Sequence, residues 1–276
     1  MLASGMARRR WRWVVGALVG VWLGVILFGR IGDRLILWPS VAPIDAGAAQ
    51  RRQIPFNGGS LDAFVVPARS GVAGRYLLRF YGNADRAERW AASEAQGWPD
   101  DVESWAVNYP GFGGSTGPAS LNGVAAAALQ AYDAVTAVAG NKRIYVVGTS
   151  LGTTAALHIA AERHVAGVVL HNPPALRQLV VGEHGWWNLW LLAWPVALQL
   201  PRGLDSVDNA RQCRAPAVFV LSERDEVVPH RYHQLIATAY AGEKEIILRP
   251  LAAHNDPLDA ATTVAYRAAL SRLFAR

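Results

Sequence analysis

From residue 58 to the end of the chain, short apolar runs alternate with longer stretches of helical spacing. The short runs are LDAFVV (61–66), YLLRFY (76–81), SWAVNY (104–109), RIYVVG (143–148), GVVLH (167–171), AVFVLS (217–222) and EIILRP (245–250). Several are continuously apolar, as strands covered on both faces require. Helical patterns lie between them, at 85–96, 120–138, 151–163, 229–241 and 257–274. Strand alternating with helix means βαβ units. The expected fold class is α/β, a mostly parallel central sheet with helices on both faces.

Two stretches depart from this rhythm. Trp13–Gly29 (WVVGALVGVWLGVILFG) carries no charge and follows the cluster Arg8–Arg12. No small-residue cleavage pattern follows it, so it reads as an uncleaved signal anchor, a transmembrane helix, rather than a signal peptide. Arginines upstream outnumber those downstream, which predicts a cytoplasmic N-terminus (1–12) and a single-pass protein with its folded part on the exported side. Residues 30–57, broken by Pro39, Pro43 and Pro55, read as a juxtamembrane connection, leaving 58–276 as the folded domain. The second departure is Gly185–Pro201 (GWWNLWLLAWPVALQLP), which holds four of the 11 tryptophans. It falls inside a strand-free interval, 174–212, and predicts a Trp-rich cap inserted over a binding cleft, in contact with a membrane surface. An ordinary buried helix pair is the plainer alternative.

Composition narrows the picture. Apolar types make up 52 % and charged types 17 %, so a large core can form and disorder is excluded. The net charge of +6 comes mostly from six arginines in residues 1–40, opposed only by Asp33. The rest is nearly balanced, which leaves no basic face for nucleic acid. Cys213 is the only cysteine, which excludes an intrachain disulfide and a Cys-based metal site.

The chemistry centres on Gly148-Thr149-Ser150-Leu151-Gly152, a G-x-S-x-G motif with a strand before it and a helix after it. Glycines two before and two after the serine allow a tight turn that exposes its hydroxyl at a helix N-terminus. A helix-capping serine is the bland alternative. A serine hydroxyl needs a base. In a sheet of this kind the acid and then the histidine follow the serine, each after a later strand. His254 is the histidine that follows the last strand; His171, at a strand end, is its rival, and His230 and His233 fall on a helix. For the acid, Asp225 is preferred over Glu223 and Glu226 in SERDEVVP, and Asp256 reads as a cap for the last helix. The oxyanion donors expected are the backbone N–H groups of Leu151 and Asn83. This constellation calls for no metal and no organic cofactor.

With these residues in view, the chain resembles the α/β hydrolases. More narrowly it resembles their membrane-anchored serine hydrolases, the bud-emergence-suppressor-like and depalmitoylase-like group. The resemblance is carried by DRLILWP (33–39), FYGNA (80–84), NYPGFGGSTGPAS (108–120), GTSLG, DEVVP and AHNDP. Tyr81 stands where the group has a histidine, which would alter the oxyanion loop or add a hydroxyl to the pocket. The expected function is hydrolysis of a small-molecule or lipid ester or thioester with an apolar acyl group, through an acyl-enzyme. An acyltransferase using the same residues, or a non-catalytic scaffold that binds lipid or a membrane partner, remain alternatives.

Overall fold

A computed structural model describes residues 2–188 and 190–276, with side chains for all of these except 2–8, 25–27 and 188. The first half runs α1 (Leu2–Phe28), α2 (Ile31–Ile36), β1 (Gln50–Phe56), β2 (Gly59–Val66), β3 (Arg75–Phe80), α3 (Ala87–Ala95), β4 (Val102–Val107) and α4 (Leu121–Ala139). The second half runs β5 (Arg143–Thr149), α5 (Leu151–Glu162), β6 (Gly167–His171), α6 (Leu176–His184), α7 (Ala193–Leu198), α8 (Ser206–Gln212), β7 (Ala217–Ser222), α9 (His230–Ala239), β8 (Lys244–Arg249) and α10 (Ala260–Ala275). All seven expected strands form, within two residues of the apolar runs at either end.

The strands make one sheet in the order β1-β2-β4-β3-β5-β6-β7-β8. It is mixed: β1–β2 and β2–β4 are antiparallel, and the pairs from β4 through β8 are parallel. The strand period of two divides the core. Ile144, Val146, Val168, Leu170, Phe219 and Leu221 join the larger cluster under α4, α5, α8 and α9. Their neighbours Tyr145, Val147, Val169, Val218 and Val220 pack on the other face with Leu270 and Phe274 of α10. Caps set helix starts: Ser120 Oγ accepts from Gly123 N, and Asp259 Oδ1 accepts from Thr262 N. Thus Asp259, not Asp256, caps the last helix.

β1 was not expected. It lies within 30–57, and only Ile54 of its seven residues is buried. As an edge strand it is held by backbone pairing with β2, so its side chains carry no apolar pattern.

The membrane anchor does not form. Among the described residues no helix is long and apolar enough to cross a membrane. α1 carries Arg8, Arg9, Arg10 and Arg12 within the same helix as the uncharged run. From Trp13 to Phe28 that run spans only about 24 Å at ~1.5 Å per residue, short of a hydrocarbon core of ~30 Å. The side chains of 25–27, inside the predicted span, lie outside the described residues. A single-pass location, a cytoplasmic N-terminus and an exported domain, all deduced from the anchor, fall with it.

The distinct Trp-rich cap does not form either. Residues 174–212 fold into short helices that continue the body, and α8 packs between α5 and α9. Trp186, Trp187, Trp190 and Trp194 are 43–68 % exposed, and the inward faces of α6 and α7 are built from Leu176, Leu179, Val180, Ala193 and Val196. Small aliphatic side chains make the buried contacts, so there is no separate tryptophan-packed layer to act as an interfacial cap.

Candidate active site

The sheet changes direction between β3 and β5. From there β4 lies to one side and β6–β8 to the other. Crevices form beyond the C-terminal ends of strands at such a point. Four loops meet there, after β3, β5, β7 and β8, and each carries a residue predicted for the site.

Ser150 lies between β5 and α5 with φ 50 and ψ −121, and its side chain caps nothing. That backbone conformation is strained for a residue with a Cβ. It is held by Ser150 N donating to His171 O at 2.8 Å and Thr153 N donating to Ser150 O at 2.9 Å. The flanking glycines are sterically required. A Cβ on Gly148 would stand 2.4 Å from Gly152 O, and one on Gly152 would stand 2.2 Å from Phe80 O. The helix-cap alternative for Ser150 therefore has no support.

Asp225 is buried in the loop after β7. Its Oδ1 accepts from Val227 N and Val228 N at 2.9 and 2.7 Å. Its Oδ2 faces His254 Nδ1 at 2.5 Å and His233 Nε2 at 3.0 Å. Burial alone would raise the carboxyl pKa, but the hydrogen bonds from His233, His254 and Val228 outweigh it and hold the group well below the usual carboxylate range. Glu226 approaches only the backbone of His254, at 3.5 Å. Glu223 contributes to the sheet through its backbone N–H on Arg249 O.

His254 is carried by the loop between β8 and α10. Asp256 Oδ2 accepts from Ala253 N at 2.8 Å and so braces the turn. Arg249 grips the same loop through Asp256 O and Pro257 O. Asn172, with φ 49, accepts from Ser222 N and donates to His254 O at 3.0 Å, tying the ends of β6 and β7 to the histidine loop. His254 and Ser150 line one cavity of about 640 Å³. The Ser150 hydroxyl makes no hydrogen bond there among the described residues. Such contacts are commonly loose without substrate.

His171, the rival base, lies outside this cavity. Its Nε2 is 3.2 Å from Tyr266 Oη. Desolvation and the nearby Arg79 guanidinium hold its pKa down to about 3.

The predicted oxyanion residues, Asn83 and Leu151, also line the cavity. Gly82 brings their loops together: a Cβ there would lie 3.4 Å from Ser150 Cβ. Leu151 opens α5, where an N–H has no partner within the helix. Tyr81 adds no hydroxyl to the cavity. Its OH donates to Glu94 at 3.0 Å, and Arg79 joins Glu94 to Thr149 behind the site.

Two features escaped sequence reasoning. The first is the cavity wall supplied by residues 31–38. Leu35, Ile36 and Trp38 line the cavity, pinned by Asn83, whose Oδ1 accepts from Trp38 N and whose Nδ2 donates to Ile36 O. Asp33 Oδ1 accepts from Leu121 N at 2.7 Å, anchoring α2 to the start of α4. The signal available was LILWP, an apolar run too short to span anything. The second is His233, which its place on a helix made look structural.

With this geometry in view, the chain matches the family described as alpha/beta hydrolase fold over residues 77–206. It is 28 % identical over 257 residues, 88 % of each chain, to the uncharacterized protein Rv2307c of Mycobacterium tuberculosis. Solved structures agree in fold. Est1E from Butyrivibrio proteoclasticus matches at TM-score 0.65 and 16 % identity, over 82 % of this chain and 99 % of its own. The Pyrococcus furiosus esterase Pf2001 matches at TM-score 0.66 and 13 % identity, over 87 % and 96 %. The fold is that of the α/β hydrolases. The narrower likeness to the membrane-anchored, depalmitoylase-like group does not hold. The similarity reaches the fold at large, and the anchor that marked that group does not form.

Proposed function

We propose that this protein is a serine hydrolase that cleaves a carboxylic ester or thioester with an apolar acyl group. The observation that carries the reading is the single cavity. Ser150 and His254 both line it with Asp225 bonded behind His254, and aliphatic side chains make up most of the other lining residues. Ser150 Oγ attacks the acyl carbonyl while His254 Nε2 takes its proton. Asp225 keeps the other proton on Nδ1 and balances the imidazolium. The N–H groups of Leu151 and Asn83 stabilise the oxyanion. His254 then protonates the departing oxygen or sulfur. Water, deprotonated by His254, releases the acid from Ser150. The substrate is a small-molecule or lipid ester.

The test is labelling with a fluorophosphonate probe, paired with p-nitrophenyl esters of increasing chain length. Wild type should label and hydrolyse, faster for butanoate and hexanoate than for acetate, and Ser150→Ala should do neither. An unlabelled wild type would leave a non-catalytic binding scaffold as the better reading.

A further inference from the structure

His233 sits on α9 with no exposed surface, and the reaction above does not use it. Its Nε2 is 3.0 Å from Asp225 Oδ2, and its Nδ1 is 3.1 Å from Pro173 O. A carboxylate and a backbone carbonyl can only accept. A neutral imidazole has one N–H and one lone pair, so either tautomer would press a lone pair against an oxygen at hydrogen-bond distance. A flipped ring would turn both nitrogens away from both oxygens. Only a ring with a proton on each nitrogen satisfies both contacts.

The surroundings balance that charge. Asp225 accepts from two backbone N–H groups on Oδ1 and from both histidines on Oδ2. That donor set fits an ionised carboxylate. The titratable neighbours of His233 are Asp225 on the β7 loop, His254 across the shared oxygen, and His230 on its own helix at a ring-centroid distance of 6.0 Å. Other charges on the surrounding elements are engaged elsewhere: Glu183 of α6 with Arg231 and Tyr232, and Asp208 of α8 with Arg211.

We propose that His233 is a buried imidazolium that positions Asp225 and weakens that carboxylate's pull on a proton at His254. The proposal rests on the reading of Ser150, Asp225 and His254 as the catalytic set. His233 touches no reacting atom, so it is a positioning residue. Two consequences follow from one contact. The Asp225 carboxylate is fixed by donors on both oxygens, so it presents Oδ2 to His254 in one orientation. The positive charge of His233, on the same oxygen, disfavours a second positive charge on His254. That leaves His254 Nε2 more readily available as a base than a carboxylate alone beside the ring would.

The test has two arms on the full chain. Nitrogen-15 NMR of the wild type should show both ring nitrogens of His233 protonated at pH 7; a neutral tautomer would overturn the proposal. In His233→Gln, which keeps a neutral donor toward Asp225, the acid limb of kcat/KM for p-nitrophenyl butanoate should move up by about one pH unit. The pH at which the His254 ring signals change should move with it. A variant that loses rate at all pH values with an unmoved limb and unmoved His254 signals would show a structural role only. Should the wild type fail to label with fluorophosphonate, the catalytic reading falls, and the NMR arm still decides the charge on His233.

Discussion

The cavity has two walls built by different physics. One is polar: Ser150 and His254 line it, and Asp225 and Asn172 stand behind them, each set beyond the end of a strand and held by hydrogen bonds. The other is apolar, made of Leu35, Ile36 and Trp38 near the N-terminus and of Leu176, Leu179 and Val196 from α6 and α7. Hydrogen bonds are directional, so the polar wall admits few residue types at each position. Packing is not directional, so many aliphatic side chains would serve the apolar wall. A change in the first should act as a switch, and a change in the second as a dial.

The largest effect expected is at Asp225. In Asp225→Asn an amide replaces the oxygen that His254 Nδ1 and His233 Nε2 share. The amide N–H₂ cannot accept from Nδ1–H, so the imidazole is driven to the wrong tautomer. By analogy with other hydrolase triads, kcat/KM should fall by about 10³- to 10⁴-fold with the fold retained. Steady-state kinetics with circular dichroism checks both, and a loss of less than about tenfold would break the distinction between the walls.

The elbow comes next. Gly152→Ala would put a methyl group 2.2 Å from Phe80 O and 2.8 Å from Tyr81 O, both backbone atoms that cannot swing aside. Destabilisation by about 3 kcal/mol is expected. Urea titration measures it; a shift under about 1 kcal/mol would mean that the turn is more adaptable than its contacts suggest.

This contrast also explains which parts were legible in the sequence. The strands announced themselves because burial on both faces demands apolar runs, and G-x-S-x-G did so because only glycine fits beside Ser150. Asp225 and His254 were singled out by topology, since each had to follow a particular strand, and the structure brings them to 2.5 Å of each other. The apolar wall was not legible. In the chain, LILWP was read only as part of a juxtamembrane motif, and the tryptophans of 185–201 drew attention away from the aliphatic residues around them that line the cavity. Trp13–Gly29 was misread for a different reason: the absence of charge was taken for a span, although a run of that length falls short of a hydrocarbon core of ~30 Å. His233 was hidden by geometry, because nothing in a spacing of eight from Asp225 tells which side of α9 faces the loop.

A third prediction separates the two histidines considered as base. In the unfolded chain His171 takes up a proton at an ordinary value near 6.5, but in the folded protein only near 3. Below about pH 6.5 the unfolded state therefore binds more protons, and stability falls as pH is lowered toward 3. Between pH 7 and 4.5 this group removes about 2–3 kcal/mol. His171→Gln should lose that part of the pH dependence in urea titrations yet keep ester hydrolysis at pH 7.5. Loss of activity comparable to that of His254→Ala would reinstate His171 as a base.

The smallest effect tests the apolar wall itself. Val196 of α7 is 3 % exposed, packs with Val180 and Ala193, and lines the cavity. Since Val196 is buried on one side and lines the cavity on the other, a phenyl ring there is expected to extend into the cavity and take up part of the space proposed for an acyl chain. Val196→Phe should leave kcat/KM for p-nitrophenyl acetate within about twofold and lower it for octanoate by about tenfold, the discrimination that one or two methylene groups produce in an apolar pocket. Because Val196 belongs to α7 and not to the loops that carry Ser150, Asp225 and His254, fluorophosphonate labelling should be unchanged. An unaltered chain-length profile, with labelling intact, would mean that the acyl chain does not lie against α7 and that the cavity serves the leaving group instead.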